Sequence, residues 1–184
     1  MDFCGERATL EPELARFLNL MIVKSMSKAY GIGGLRLGYL ATADLELAAR
    51  ARSALPIWNV NGLAEAFLRH LPAFAGDFRA SVKLTRTECD ELYDQLAEIP
   101  GVYAHPPDAN FVLVRLGPGR RSEDVVRALL RDHRLFVKDC AGKSMRDGER
   151  YLRVASRTSS ENAHFAGALR EVLAGVSAYP VAAG

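Results

Sequence analysis

The sequence is poor in the features that mark several large classes of protein. Its three cysteines are odd in number and far apart, so they suggest neither a disulfide framework nor a metal-binding spacing. The histidines are scattered as well. The residues concerned are Cys4, Cys89, Cys140, His70, His105, His133 and His164. These absences argue against a disulfide-rich secreted domain and a metal enzyme, and they favour a reducing, cytoplasmic location.

Blocks of one charge and long apolar runs are missing too. The 24 basic and 22 acidic residues are interspersed and leave a net charge of +2. A nucleic-acid surface normally shows a basic stripe, and a membrane anchor a polybasic cluster. No apolar run approaches the length of a membrane span, and the first twenty residues lack the pattern of a secretory signal. We therefore expect neither nucleic acid nor membrane as a partner.

The 184 residues, 49% of them hydrophobic, are enough for one good core or two small ones. In the first part, "PELARFL" predicts a short helix, and "LMIVKS" predicts a strand that is buried on both faces because it is continuously apolar. A second strand, "RLGYLAT", follows a glycine-rich stretch. "WNVNGLAEAFLRHL" predicts an Asn-capped helix, and Trp58 is expected to anchor the core.

A long helix then separates two parts of the chain. Its apolar residues recur at alternating four- and three-residue steps from Phe78 to Ile99, and Pro100-Gly101 ends it. Beyond it we expect strands at "NFVLVRL", "LFVKDC" and "YLRVAS". The helices between and after them are expected to be capped by Ser122 and by a Thr158–Glu161 capping box. The second part should therefore form a small α/β lobe.

Polar residues are concentrated in "KSMSKAYGIGGLRLGY", directly after the first predicted strand. Ligands often bind at the carboxyl end of such a strand. Ser25 and Ser27 offer hydroxyls to a phosphate, and Arg36 offers a bidentate charged contact. Three glycines, Gly31, Gly33 and Gly34, permit a tight fold. Lys28 then supplies an amine beside these groups, suited to forming a Schiff base.

By spacing alone this stretch remains a weak phosphate-site prediction. It lacks the Gly-Lys-Ser/Thr ending of a nucleotide P-loop. Lys28 and Arg36 could be ordinary surface residues, and Ser27 could merely cap a helix.

In its order of residues, however, "SMSKAYGIGGLRLGY" resembles the cofactor-lysine segment of fold type I pyridoxal-phosphate enzymes, the class I/II aminotransferases. It is most similar to histidinol-phosphate aminotransferases and threonine-phosphate decarboxylases. The resemblance implies that Lys28 forms the Schiff base with pyridoxal 5'-phosphate, and that Ser25, Ser27 and Arg36 bind the cofactor phosphate. It extends from about Glu11 to Val176 through "WNVNGLAEA" and "DANFVLVRL".

The closing stretch "YLRVASRTSSENAHFAGAL" resembles the family segment whose arginine holds the substrate's α-carboxylate. This likeness gives that role to Arg153, although strand alternation could also point it to solvent. Arg157 is an additional cation that could meet a substrate phosphate or second carboxylate, or be structural. "VKDCAGKSM" leans towards the phosphothreonine decarboxylases.

The implied fold is α/β: residues 1–75 as the carboxyl-terminal part of a pyridoxal-phosphate-binding large domain, 76–176 as a small domain with its linking helix, and 177–184 as a tail. Family members are longer. The part without a counterpart here normally supplies an acid for the pyridine nitrogen, a stacking aromatic ring and a glycine-containing helix start for the phosphate. Asp2 could be mistaken for that acid, but its context fits the following loop.

The resemblance implies transamination between an amino acid, possibly phosphorylated, and a 2-oxo acid. Two alternatives stay open: decarboxylation of a phosphothreonine-like amino acid, and a catalytically silent fragment that acts in assembly. The expected macromolecular partner is a second copy in a homodimer, or the amino-terminal half supplied in trans.

Overall fold

The computed structural model describes residues 9–175, which divide into two compact units between Val82 and Lys83. This division falls within the long helix α3, Ala75–Ala97. The expected border, between residues 75 and 76, coincides with the start of that helix. The assignment of the two parts to a large and a small domain stays a prediction.

Unit 1, up to Val82, contains a two-stranded antiparallel sheet and short helices. Strand β1 (Met21–Ser25) pairs with β2 (Gly38–Thr42), with Ser25 opposite Gly38. Helix α1 (Leu45–Ala54) begins after Asp44, and α2 (Gly62–His70) begins after Asn61. Each of these two residues accepts a backbone N–H bond from its helix, which confirms the predicted Asn cap.

The prediction that the first strand is buried on both faces is wrong. Val23 is 78% exposed, and the buried core of unit 1 consists of Met26, Leu37 and Ala64. Within residues 9–175, β1 has β2 as its one strand partner. Continuous apolar sequence marks a strand that needs cover on two faces, and here one face lacks it.

Two further expectations for unit 1 fail. Trp58 is not a core anchor, because it is 90% exposed and has a positive φ of 59°. "PELARFL" forms only one 3₁₀ turn, Glu11–Glu13, rather than a helix. A helix this short gains little from its few hydrogen bonds and needs packing to persist.

Unit 2 closes around its own core. Its sheet is antiparallel with the order β3-β4-β6-β5. The strands are β3 (Val102–His105), β4 (Phe111–Leu116), β5 (Lys138–Asp139) and β6 (Tyr151–Ala155). The helices are α4 (Ser122–His133) and α5 (Ser159–Gly175), beside the second part of α3. Alternate residues of β4 and β6 join residues of these helices in one cluster of buried side chains.

The predicted capping box of α5 is confirmed, since Glu161 N–H donates to Thr158 Oγ1 and Thr158 N–H to the Glu161 carboxylate. Ser122 does not cap α4. It is the first residue of the helix, and its fully buried hydroxyl instead bonds Asp139 and the Glu149 carbonyl. Strand β3 was not expected, and "LFVKDC" contributes only the two residues of β5.

Cys89 and Cys140 are buried, free thiols. Burial raises the pKa of Cys89 to about 11, and the charge of Asp90 adds to this effect. Within residues 9–175, no group of three His, Cys, Asp or Glu side chains could hold a metal ion. None of the helices in that range is long and apolar enough to cross a membrane.

Candidate active site

The predicted lysine lies in the connection between β1 and β2, residues 26–37, which we call the lysine loop. Its base is closed by a hydrogen bond of 3.0 Å from Met26 N–H to the Leu37 carbonyl. The next step of the ladder pairs Ser25 with Gly38. A Cβ at Gly38 would lie 2.7 Å from the Lys24 carbonyl oxygen, so only glycine permits this close pairing.

Ser27 follows Met26 and Arg36 precedes Leu37, so each is the neighbour in sequence of one residue of this closing pair. Lys28 lies in the turn that follows Ser27 and is exposed. Arg36 adopts a left-handed backbone conformation (φ 54°, ψ 43°), which turns the chain back into β2. Such a conformation is uncommon for a residue other than glycine and recurs at binding sites.

The glycines contribute less to this turn than the sequence suggested. Gly31 has a positive φ of 66°, whereas Gly33 and Gly34 begin a 3₁₀ turn and have open space around them. Arg36 itself supplies the second left-handed position.

The two cations of the loop have few partners. One Arg36 guanidinium nitrogen donates to the Gly33 carbonyl at 3.2 Å, which leaves its other N–H donors available. Among the described residues, 9–175, Lys28 has no hydrogen bond or ion pair, and Arg36 has no ion pair. Within that part of the chain, no carboxylate pairs with either of these two cations.

The hydroxyl of Ser25, the last residue of β1 before the loop, also keeps donor capacity. Ser25 Oγ accepts a long hydrogen bond of 3.4 Å from Ser27 N–H, so its own proton can be donated elsewhere. With Arg36 and Lys28, this set offers hydroxyl and guanidinium donors to a phosphate and an amine to an aldehyde. The donor chemistry fits a phosphate ester that carries a carbonyl group.

Two contacts that hold the lysine loop were not anticipated from the sequence. Asn61, besides capping α2, donates its side-chain amide to the Leu35 carbonyl at 3.2 Å. Tyr30 stacks on Phe78 with ring centroids 4.2 Å apart and meets Phe67 edge-on at 6.0 Å. An open pocket of about 340 Å³ lies beside Tyr30, and none of the predicted site residues lines it. The "NG" pair at the start of α2 was a usable signal for Asn61, but nothing in the local sequence marked Tyr30.

In unit 2, Arg153 lies on the exposed face of β6, between the buried Leu152 and Val154. Its guanidinium is 5.3 Å from the centre of the Phe111 ring, and Lys138 on β5 is its cross-strand neighbour. No ion pair joins Arg153 to a carboxylate of residues 9–175. Two adjacent cations on an aromatic surface make a suitable site for a carboxylate.

The charge of Arg153 also acts on a buried neighbour. Burial raises the pKa of the Cys140 thiol, and the positive charge of Arg153 partly offsets that rise.

Arg157 is already engaged. Its guanidinium donates to Glu161 at 2.8 Å, one turn further along the chain, and both side chains are exposed. The Thr158 hydroxyl and then Arg157 hold the pKa of Glu161 below its usual range. The backbone N–H of Arg157 donates to Asn162 Oδ1. These contacts suit a structural role, and binding of an anion by Arg157 stays a prediction.

Comparisons with known proteins agree on one family. The family model "Aminotransferase class I and II" matches residues 1–169. The chain is 47% identical to the CMP-5'-(3-aminopropyl)phosphonate synthase of Streptomyces rubellomurinus, over 91% of this chain and 27% of that protein. Identity to the threonine-phosphate decarboxylase of Salmonella typhimurium is 32%, over 96% of this chain and 48% of the enzyme. A histidinol-phosphate aminotransferase of Caldanaerobacter subterraneus is 30% identical, over 94% of this chain and 46% of that enzyme.

Solved structures show the same fold. A decarboxylase from Sulfurospirillum multivorans superposes with a TM-score of 0.83 at 31% identity, covering 94% of this chain and 50% of that one. The histidinol-phosphate aminotransferase of Clostridium acetobutylicum gives a TM-score of 0.85 at 24% identity, covering 94% of this chain and 51% of that one. The chain thus spans between about a quarter and about half of the length of each relative named.

Proposed function

Because the chain belongs to the class I and II aminotransferases, a family of pyridoxal-phosphate enzymes, we propose that it carries the lysine-bearing part of an amino-acid decarboxylase. The substrate would be an amino acid whose side chain ends in a phosphate or phosphonate. The observation that carries the cofactor part is the lysine loop, where Lys28 and Arg36 share one closed turn and neither pairs with a carboxylate of residues 9–175.

The residues of the loop would hold the cofactor as follows. Arg36, Ser25 and Ser27 bind its phosphate, and the Nζ atom of Lys28 lies on the same loop to meet its aldehyde. Pyridoxal phosphate, when bound, supplies a ring that accepts the electron pair released at the substrate Cα.

Arg153 would bind the α-carboxylate, with Lys138 adding positive charge beside it. A carboxylate that is held bidentately fixes which bond at Cα is aligned for cleavage. In decarboxylation the Cα–carboxyl bond breaks, carbon dioxide leaves, and the Lys28 ammonium delivers a proton to Cα. In transamination the Lys28 amine instead removes a proton from Cα.

Decarboxylation is supported by the names of the relatives. The relatives with 47% and 32% identity are a synthase of an aminopropyl phosphonate and a threonine-phosphate decarboxylase, and an L-serine phosphate decarboxylase is 34% identical. These names share a phosphorus oxyanion, and the first product carries a primary amine on an alkyl chain.

Transamination is the second candidate, favoured by the 30% identity to a histidinol-phosphate aminotransferase. A silent fragment that acts in assembly is the third, because the chain spans about half or less of the length of its relatives. The homodimer and the cytoplasmic location remain predictions.

The cofactor part is tested by adding pyridoxal phosphate to the purified chain, reducing with borohydride and mapping the labelled peptide. We expect the label on Lys28, its loss in Lys28→Ala, and no change in Lys83→Ala, whose lysine is exposed on α3. A label spread over several lysines would contradict the proposed site.

The reaction is tested with phosphoserine, phosphothreonine and an aminophosphonobutyrate, each labelled with ¹³C in the carboxyl group. Release of labelled carbon dioxide with an amine product supports decarboxylation. A 2-oxo acid that keeps its labelled carboxyl group identifies an aminotransferase instead.

A further inference from the structure

Unit 2 has an open pocket of about 430 Å³ where β3 begins and β4 ends. Its lining includes two arginines, Arg115 and Arg150, with Gly101, Tyr103, Leu116 and Gly117. We name it the arginine pocket, and we infer that it binds the phosphate group of a small phosphate ester. The inference goes beyond the proposed function and does not rest on Lys28 or on a bound cofactor.

Arg115 is oriented by an aromatic ring rather than by an acid. It lies on β4 opposite Tyr103 of β3, and its guanidinium carbon is 5.2 Å from the centre of the Tyr103 ring. Within residues 9–175, the Arg115 side chain forms no hydrogen bond and no ion pair. A cation–π contact orients the guanidinium while its N–H donors stay available to a ligand.

Arg150 is anchored by a neutral group. Its Nε and Nη2 atoms donate to the Leu116 carbonyl oxygen at 3.2 and 2.7 Å. Its Nη1 atom has no hydrogen bond within residues 9–175, and no carboxylate of that range pairs with it. Because the rigid guanidinium is already fixed on one side, it loses little freedom when its remaining donors bind an anion.

The pocket carries positive charge that its own lining does not balance. None of the residues that line it is acidic. Two guanidinium groups at one pocket repel each other, and an anion that contacts both replaces this repulsion with attraction. A phosphate group suits the position, because its oxygens pair bidentately with arginine. Either arginine alone would be an ordinary surface residue, whereas two oriented arginines in one pocket form an anion site.

The size of the pocket favours an ester over a bare ion. Its volume lies within the range of small-molecule sites, about 300–1,000 Å³. Gly101 and Gly117 place no side chain in it, and a Cβ at Gly117 would lie 3.2 Å from the Gly101 carbonyl oxygen. The Tyr103 hydroxyl has no hydrogen bond within residues 9–175, so it can bond the organic part of the ester.

The arginine pocket is separate from the proposed carboxylate site. Arg153 of β6 pairs with Leu113 of β4, whereas Arg115 pairs with Tyr151. Neither Arg153 nor Lys138 lines the pocket. Substitution can therefore distinguish an anion bound in the pocket from one bound at Arg153.

The inference is tested by nuclear magnetic resonance on the purified, ¹⁵N-labelled chain. Inorganic phosphate and ribose 5-phosphate are each titrated at an ionic strength held constant with chloride. We expect saturable shifts of the amide resonances of Gly101, Val102 and Gly117, with tighter binding of ribose 5-phosphate. Equal affinities for the two probes would overturn the assignment to an ester and make free phosphate the ligand.

Two variants and one control assign the binding to the arginines. Arg115→Gln should weaken it by about tenfold or more, because charge-assisted hydrogen bonds are lost. Arg150→Lys keeps the charge but loses the guanidinium fork, and it should act in the same direction. Arg127→Gln is the control, because Arg127 is an exposed arginine of α4 that pairs with Glu123. Unchanged α5 resonances verify that each variant still folds.

Three further outcomes would overturn the inference. The first is the absence of saturable shifts, or equal shifts with chloride alone. The second is binding that Arg115→Gln leaves intact or that Arg127→Gln weakens equally. The third is binding that Arg153→Gln abolishes, which would place the anion at the proposed carboxylate site. None of these readouts uses pyridoxal phosphate, so failure here is distinguishable from failure of the proposed function.

Discussion

Unit 1 and unit 2 differ in how many of their apolar side chains are buried. The core of unit 2 contains twenty buried residues, whereas that of unit 1 contains three. Of the large hydrophobic residues that are exposed, fifteen lie in the described part of unit 1 and four in unit 2. Since apolar burial is the main source of stability, we expect unit 2 to be the more stable of the two units.

The largest expected difference between the units concerns leucine truncation. Leu169 on α5 is fully buried, so Leu169→Ala should cost about 2–5 kcal/mol of unfolding free energy. Leu63 on α2 is 69% exposed, so Leu63→Ala should cost less than about 0.5 kcal/mol. Urea denaturation followed by circular dichroism measures both. Equal losses would mean that the two units do not differ in packing.

Asparagine truncation should give the next largest contrast. Asn162, 2% exposed, bonds Glu88, Ser156 and both backbone groups of Arg157. Asn162→Ala leaves buried groups unpaired and should cost about 3 kcal/mol. Asn61→Ala removes an exposed helix cap and should cost about 1 kcal/mol. Thermal unfolding of the two variants checks the order, and the reverse order would contradict the assignment of the core to unit 2.

A smaller effect should appear at alkaline pH. Between pH 9 and 11 the unfolded chain loses the Cys89 proton while the folded chain keeps it, so stability falls as pH rises. The fall should be on the order of 2 kcal/mol. Residues 9–82 contain no cysteine, so this dependence belongs to unit 2. Denaturation at several pH values should show that the free energy of unfolding falls less steeply with pH in Cys89→Ala. An unchanged pH dependence would rule out Cys89 as its source.

The smallest effect should be the same in both units. Arg69 pairs with Glu65 on α2 and Arg127 with Glu123 on α4, each at 2.6 Å and exposed. Arg69→Ala and Arg127→Ala should each cost less than about 0.5 kcal/mol. A much larger loss in one unit, measured by urea denaturation at low and high salt, would show that its surface charges also differ in role.

Much of the fold could be predicted because it depends on local patterns. The apolar spacing between Phe78 and Ile99 predicts α3, and Thr158 and Glu161 predict the start of α5. The burial of β1 could not be predicted, because it depends on a covering layer rather than on the strand's own residues. Ser122 was misassigned because its hydroxyl finds long-range partners, Asp139 and Glu149.

The candidate site, too, could be predicted from the sequence only in part. The order of residues around Lys28 identified the loop, and its closed base follows from strands that were themselves predicted. Gly38 could not be recognised as essential without the pairing that brings it against the Lys24 carbonyl. The left-handed conformation of Arg36 is likewise a property of the folded turn.

Trp58 is the single tryptophan of the chain and is 90% exposed. Its fluorescence should therefore resemble that of the free amino acid in water and be readily quenched by iodide. Unfolding of the isolated chain should scarcely change its emission, whereas any macromolecule that covers the segment around it should shift that emission to the blue. Trp58 is thus an intrinsic fluorescent probe that should report association but respond little to denaturation.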